Sequence, residues 1–277
     1  MSSRTASQQS ALIDLQHFPI DDLESPAGQA LVARYAADLR ETGMCRLEGF
    51  LRPDAVAALG AEANALAARA NFSLKFCNPY FTRKDPALPE DHARNIMTPR
   101  GMGMVAGDLI PEAGGLKRLY RWDGLHRFVA AVLGKQVHVV ADPYQCLNIS
   151  VMPEGPGHNW HFDDPDFVVT LMLQAPEAGG DFECAPDIRS AENENYDAVR
   201  DVLLGKRDRV KVVPFKPGTL MIFHGHNSLH RVSPVTGQRL RLIAVFSYAT
   251  QPGYHGEDLA NRLVYGERAA RGAMPGM

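Results

Sequence analysis

From residue 137 onward the chain is a succession of short β-rich runs cut by turn residues, and this pattern limits the fold more than any other feature. Runs at 137–141, 146–152, 159–163, 167–173, 180–184, 210–214, 219–223 and 239–249 favour β-branched, aromatic and other apolar residues, while Gly179-Gly180 and Pro217-Gly218 mark tight turns. About eight short strands at such spacing predict two antiparallel sheets closed face to face as a jelly roll. A helix expected over 195–204 interrupts them. The first half has another character. Leu31, Val32, Tyr35, Ala36 and Leu39 predict a helix over 28–42 that stops at Gly43; Pro53 and Asp54 open an alanine-rich helix over 53–70, and a third over 116–133 ends at Gly134. Between them, 71–115 is rich in Pro, Gly, Asn and Asp and reads as one long loop, a candidate lid. The expected architecture is mainly β (α+β), one domain over 1–277: a mostly helical part at 1–135, a jelly-roll core at 136–253 and a tail at 254–277.

With 277 residues, 45% of them hydrophobic, such a domain can bury a sizeable core. The 29 basic and 32 acidic residues are dispersed, so no basic stripe suited to a phosphate backbone is present and nucleic acid is not an expected partner. Cys45, Cys77, Cys146 and Cys184 lie too far apart for zinc or redox motifs and read as reduced. The polar first residues and the lack of any run near the ~18 apolar residues of a membrane span lead to an expected cytoplasmic location without a membrane partner, with oligomeric state left open.

The chemistry concentrates in His158-Asn159-Trp160-His161-Phe162-Asp163-Asp164. In a strand, residues i and i+2 share a face, so His161 and Asp163 converge while Trp160 and Phe162 point the other way. A second imidazole from a distant strand would complete a two-histidine, one-carboxylate set that leaves positions open on iron(II). His230 is the candidate; His224 and His226 form a competing i, i+2 pair but lack the Arg231-Val232-Ser233-Pro234-Val235 that follows His230. Downstream, Arg239 and Arg241 alternate onto one face of the last long strand. A guanidinium there suits a dicarboxylate's far end, because its rigid fork matches two carboxylate oxygens. Arg239 is the first choice and Arg241 the competitor. Asn148 and Thr170, on strands expected to line the barrel, are candidate hydrogen-bond donors to the same cosubstrate.

His161-x-Asp163, Pro217-Gly218-Thr219-Leu220, Leu229-His230-Arg231-Val232-x-Pro234-Val235 and Gly237-x-Arg239 together resemble the iron(II)/2-oxoglutarate dioxygenase superfamily. Trp160-His161-Phe162-Asp163, Val169-Thr170-Leu171-x-Leu173-Gln174-Ala175-Pro176, Gly179-Gly180-x-Phe182-Glu183 and Ser228-Leu229-His230-Arg231-Val232 are more closely similar to the BesD-like free-standing amino-acid halogenases and hydroxylases. That resemblance covers 116–253 well and the N-terminal third loosely. It implies a double-stranded β-helix, iron(II) held by His161, Asp163 and His230, 2-oxoglutarate as cosubstrate, O2 as oxidant, and succinate and CO2 as coproducts. Halogenating members carry glycine where this chain has Asp163, so the resemblance implies hydroxylation. It also implies a small-molecule substrate, zwitterionic and amino-acid-like, contacted by His158 and Asp164; Arg83, in the 71–115 segment, is a further candidate contact to its carboxylate, read from its position and not from the resemblance. A zwitterion leaving water needs a partner for each charge. The plainer readings are that His158 bonds its loop, Asp164 caps the turn before Pro165, and Arg83 is solvated. Two other classes stay open: a zinc or nickel cupin, which gives no reason for Arg239, and a non-catalytic jelly-roll binding module, which does not explain Asp163.

Overall fold

Pro26 and Pro53 occupy the first turns of two helices, where a missing N–H is harmless, and start the layer that backs the barrel. The computed structural model describes residues 11–270; the polar residues 1–10 and the last part of the expected tail, 271–277, lie outside the described residues. Helix α1 (Pro26–Thr42) is capped by the Ser25 hydroxyl, which accepts the Gly28 N–H, and ends at Gly43 with φ 74°. It is followed by β1 (Met44–Leu47) and α2 (Pro53–Leu66). The expected helix over 116–133 is two helices, α3 (Gly115–Tyr120) and α4 (Asp123–Leu133), because the chain turns extended at Trp122 (ψ 122°).

The strands are β2 (Asn71–Cys77), β3 (Thr98–Val105), β4 (His138–Val139), β5 (Leu147–Met152), β6 (His158–His161), β7 (Val168–Gln174), β8 (Ala178–Gly179), β9 (Phe182–Ala185), β10 (Lys211–Val213), β11 (Leu220–Phe223), β12 (Leu229–Val232), β13 (Val235–Thr236), β14 (Arg241–Phe246) and β15 (Tyr248–Ala249). Helix α5 (Tyr196–Leu203) falls between β9 and β10, as the sequence predicts. Eleven strands form one curled antiparallel sheet in the order β1-β11-β7-β14-β5-β3-β6-β12-β9-β10, with β2 paired to β3. Strand β3 joins the two walls, pairing with β5 through Gly103–Val105 and with β6 at Arg100. This is the jelly roll.

Each strand of the larger wall has two faces with separate destinations, one apolar and one that carries polar side chains. Leu147, Ile149 and Val151 of β5, Val169, Leu171 and Leu173 of β7, and Leu242, Ala244 and Phe246 of β14 pack outward against Tyr35, Leu39, Leu59, Ala63, Leu119 and Phe128 of the helices. At ~1.5–3 kcal/mol per fully buried large side chain, this layer is the main source of rigidity behind the site. The alternate residues, Asn148, Ser150 and Met152, Thr170 and Met172, and Arg241, turn inward between the walls.

One expectation fails here. The segment 71–115 is not one loop: β2 and β3 form a seven-pair hairpin, and its glycines exist for packing, since a β-carbon on Gly103 would overlap the Phe72 ring and one on Gly101 would crowd Pro156. The excursion between these strands is organised by two buried asparagines. Asn78 accepts the N–H groups of Tyr80 and Thr82 and donates to the carbonyls of Thr82 and Arg94, while Asn95 donates to Asp85, Leu88 and Pro89. The tail is also structured, with α6 (Asp258–Tyr265) fixed by Asn261 donating to Asp142 and by the Tyr265 hydroxyl donating to Asn148. Among the described residues, no helix is long and apolar enough to cross a membrane.

Candidate metal and cosubstrate centre

His161 ends β6 and stands directly opposite His230 of β12 in the strand register, while Asp163 follows on the loop beyond β6. That loop is fixed on both sides. Phe162 donates its N–H to the Pro79 carbonyl, Asp163 donates to the Gly225 carbonyl at 3.1 Å, and His226 Nδ1 lies 3.1 Å from the carbonyls of both Asp163 and Asp164. The Arg189 guanidinium covers the Phe162 ring at 3.9 Å and its Nε donates to the His226 carbonyl. His226, weighed in the sequence as a rival ligand, instead braces the backbone that carries Asp163; the His224 N–H is held by the Gly43 carbonyl.

The ligand atoms of His161, Asp163 and His230 all lie within 4.8 Å of one another. Nδ1 of His161 donates to the Asn159 carbonyl at 2.7 Å and Nδ1 of His230 to the Ser228 carbonyl at 2.9 Å, so each ring presents Nε2 as an acceptor. These Nε2 atoms stand 3.7 and 3.3 Å from the Asp163 carboxylate. Burial, reinforced by the charge of His230, depresses His161 to about 3, so it is a neutral lone-pair donor at neutral pH. Burial opposes ionisation of Asp163, yet the facing His230 and His161 outweigh it and hold its carboxyl below the ordinary value. Burial likewise opposes charge on His230, and the Asp163 carboxylate reverses the direction.

Whether these residues fit iron(II) and 2-oxoglutarate can be judged from polar atoms that the protein leaves unanswered. Asp163 Oδ2, Ser150 Oγ, Thr170 Oγ1 and Arg241 Nη2 are buried without a hydrogen-bond partner, each a destabilising feature unless a ligand meets it. Ser150, Thr170 and Arg241 share the inward face of β5, β7 and β14. Arg241, 2% exposed, has Nε on the Gly180 carbonyl, Nη1 against the Met152 sulfur at 4.0 Å and Nη2 without a partner; burial lowers it to about 10, which leaves it charged. Two imidazoles and one carboxylate suit non-haem iron(II), and a buried guanidinium with two hydroxyls suits a dicarboxylate. The fit is complete on the protein's side.

The sequence-selected residues fall into two groups. His161, Asp163, His230, Arg241, Thr170 and His158 are gathered at the inner surface. Arg239, the first choice for the carboxylate, is exposed, donates Nη2 to the Pro176 carbonyl, and precedes β14, so alternation does not carry it inward. Asn148 is inward but engaged by Tyr144 and Tyr265. Asp164 and Arg83 are exposed, with side chains that have no partner among the described residues. Sequence reasoning missed Ser150, Gly225 and Arg100. Arg100 Nε donates to His158 Nε2 at 3.0 Å, and the His158 ring stacks on His161 at 3.6 Å between centroids. That stack needs an irregularity. His158 and His161 are an odd number of residues apart, and a β-bulge, visible as His158 pairing with Val232 while His161 pairs with His230, puts both on the inward face.

The profile of the halogenase D family (HalD) matches residues 27–262. The chain belongs to this family. No curated protein matches it. Among solved structures, an oxidoreductase of the 2OG-Fe(II) oxygenase family from Burkholderia pseudomallei is 20% identical, with 80% of this chain and 92% of that one covered at a TM-score of 0.50. AviO1 from Streptomyces viridochromogenes Tue57 is 18% identical, with coverage of 81% and 97% and a TM-score of 0.54. EctD from S. alaskensis, solved with 2-oxoglutarate and 5-hydroxyectoine, is 20% identical, with coverage of 78% and 75% and a TM-score of 0.50. At these identities the likeness establishes the shared jelly-roll fold. Family, fold and donor set together make the chain a non-haem iron, 2-oxoglutarate-dependent enzyme.

Proposed function

We propose that the enzyme hydroxylates a C–H bond of a small carboxylate-bearing substrate, a free amino acid or close derivative. The observation that carries this reading is the Asp163 carboxylate facing two imidazole Nε2 atoms, because the halogenating relatives implied by the sequence resemblance have glycine at that position. With the carboxylate present, the protein itself fills the place a halide would take.

In this reading His161, Asp163 and His230 hold iron(II), and Arg241 receives the far carboxylate of 2-oxoglutarate with Ser150 and Thr170 beside it. Iron(II) with 2-oxoglutarate supplies the oxidising power: one oxygen atom of O2 goes to the substrate and the other to succinate, with CO2 released. The chain's contribution is orientation. Arg100 and His158 receive the substrate carboxylate. Arg100 is partly buried, forms no ion pair among the described residues, and its bond to His158 Nε2 leaves the remaining guanidinium N–H groups free. Burial lowers His158 well below its usual value, with His161 and Arg100 adding to the effect, so it enters as a neutral donor through Nδ1. Asp164, unpartnered beside the ligand loop, serves the substrate ammonium. The four free cysteines suit a reducing compartment such as the cytoplasm.

The test is incubation with iron(II), 2-oxoglutarate, 18O2 and chloride against a panel of amino acids. The expected result is substrate-stimulated succinate and a hydroxylated product bearing one labelled oxygen. A chlorinated product from the unmodified enzyme would overturn the reading.

A further inference from the structure

Phe81 holds a conformation that phenylalanine avoids. Its φ is 54°, in the left-handed region, and the residue is 46% exposed although it lies next to the candidate metal ligands. The ring centroid is 5.8 Å from that of His161 and 6.4 Å from that of His158, tilted against both. An unfavourable backbone that exposes an aromatic ring is maintained only where the surroundings impose it. Asn78 imposes it here: 0% exposed, it accepts the N–H groups on either side of Phe81 through its Oδ1, and its own carbonyl accepts the Phe81 N–H. Pro79, between them, also receives the N–H of Phe162 in the ligand loop, so the turn bearing Phe81 and the loop bearing Asp163 are tied together. Phe81 is therefore positioned relative to the iron ligands and not to the hydrophobic core.

We propose that Phe81 is a specificity-determining residue: it forms the outer wall of the substrate pocket, covering a hydrocarbon side chain whose carboxylate is held by Arg100 and His158. This rests on the amino-acid reading above and narrows it to substrates with an uncharged, apolar reacting end. The acids near the barrel support the narrowing. Glu183 is spent on Arg231 and Arg207, Asp142 on Asn261 and on three backbone N–H groups, and Asp163 is a metal ligand. No other acidic side chain among the described residues is buried, so a second ammonium at the far end of a substrate would lose its hydration without a counter-charge. An aromatic ring half in water gains by closing over an alkyl chain and excludes water from the C–H bond being oxidised.

The test compares wild type, Phe81→Ala and Phe81→Leu with L-norvaline, L-leucine, L-lysine and L-glutamate, measuring succinate and hydroxylated product separately. Anaerobic 2-oxoglutarate binding serves as the control for an intact site. Expected is stimulation by norvaline or leucine over lysine and glutamate in wild type. In Phe81→Ala the Michaelis constant of the preferred amino acid should rise at least tenfold, more succinate should form per hydroxylated product, and 2-oxoglutarate affinity should stay within twofold. Phe81→Leu should restore most of the lost affinity. Unchanged Michaelis constants and product ratio in Phe81→Ala would overturn the role of Phe81, and preference for lysine would overturn the apolar substrate class. No stimulation by any amino acid, with 2-oxoglutarate binding intact, defeats the amino-acid reading itself and the assignment of Phe81 with it.

Discussion

The backbone of Gly225 forms the floor under the Asp163 carboxylate: a β-carbon at Gly225 would overlap Oδ2, while the Gly225 carbonyl accepts the Asp163 N–H at 3.1 Å. The space Asp163 needs thus depends on a residue far along the chain. Gly225→Ala should push the carboxylate off its position with the fold intact, weakening iron(II) binding by about 10–100-fold, the range for lost support of a metal ligand. Isothermal titration with iron(II) under anaerobic conditions measures it; unchanged affinity would mean that Asp163 does not need its observed position.

Arg241 and Arg239 should separate cleanly. Arg241→Gln removes the buried charge that faces the inner cavity and should weaken 2-oxoglutarate binding by at least ~100-fold, in line with the several kcal/mol lost when one partner of a buried charge pair is deleted. Arg239→Gln, at the exposed end before β14, should change that affinity by less than about twofold, as expected of a surface site. The opposite order would return the carboxylate to Arg239.

What could be read in the sequence depended on how locally each residue is specified. His161, Asp163 and His230 sit in short motifs and in regular strand alternation, and the structure gathers them. Arg239 misled because alternation was extended two residues before β14 begins. Arg100 was hidden because Pro99, Gly101 and Gly103 carry the usual marks of a loop, whereas these glycines make room for side chains of the paired strand β2 and of Pro156. The facing of His158 depends on a bulge whose cause is the pairing with β12, so it has no local signature.

Asn148 distinguishes structural from cosubstrate roles. Tyr265→Phe removes the hydroxyl that donates to Asn148 Oδ1 and leaves a buried acceptor unanswered, a loss of about 1–3 kcal/mol. The melting temperature should fall by roughly 2–12 °C, taking about 2–4 °C per kcal/mol for a domain of this size. Affinity for 2-oxoglutarate should not change; a parallel loss would restore Asn148 to the cosubstrate site.

The thiols carry a pH signature. Burial pushes Cys45 and Cys184 up to about 12 from an ordinary 9.0. A raised folded value favours the fold below the unfolded one, so these thiols support stability below pH 9 and withdraw that support as pH rises toward 12. Native protein treated with iodoacetamide at pH 8 should label Cys77, the one cysteine that is not fully buried, well before the other three. Mass spectrometry of the digested protein reads this, and early labelling of Cys45 or Cys184 would contradict their placement.

The central claim is that His161, Asp163 and His230 hold the iron on which 2-oxoglutarate binds. Anaerobic titration with iron(II) and then 2-oxoglutarate tests it before any substrate is known. The wild-type protein and His224→Ala should develop the weak visible charge-transfer band of the chelated cosubstrate, and His161→Ala, Asp163→Ala and His230→Ala, folded by circular dichroism, should each lose it or bind iron at least tenfold more weakly. A full-strength band at wild-type iron affinity in any of those three variants, or its loss in His224→Ala, would contradict the assignment.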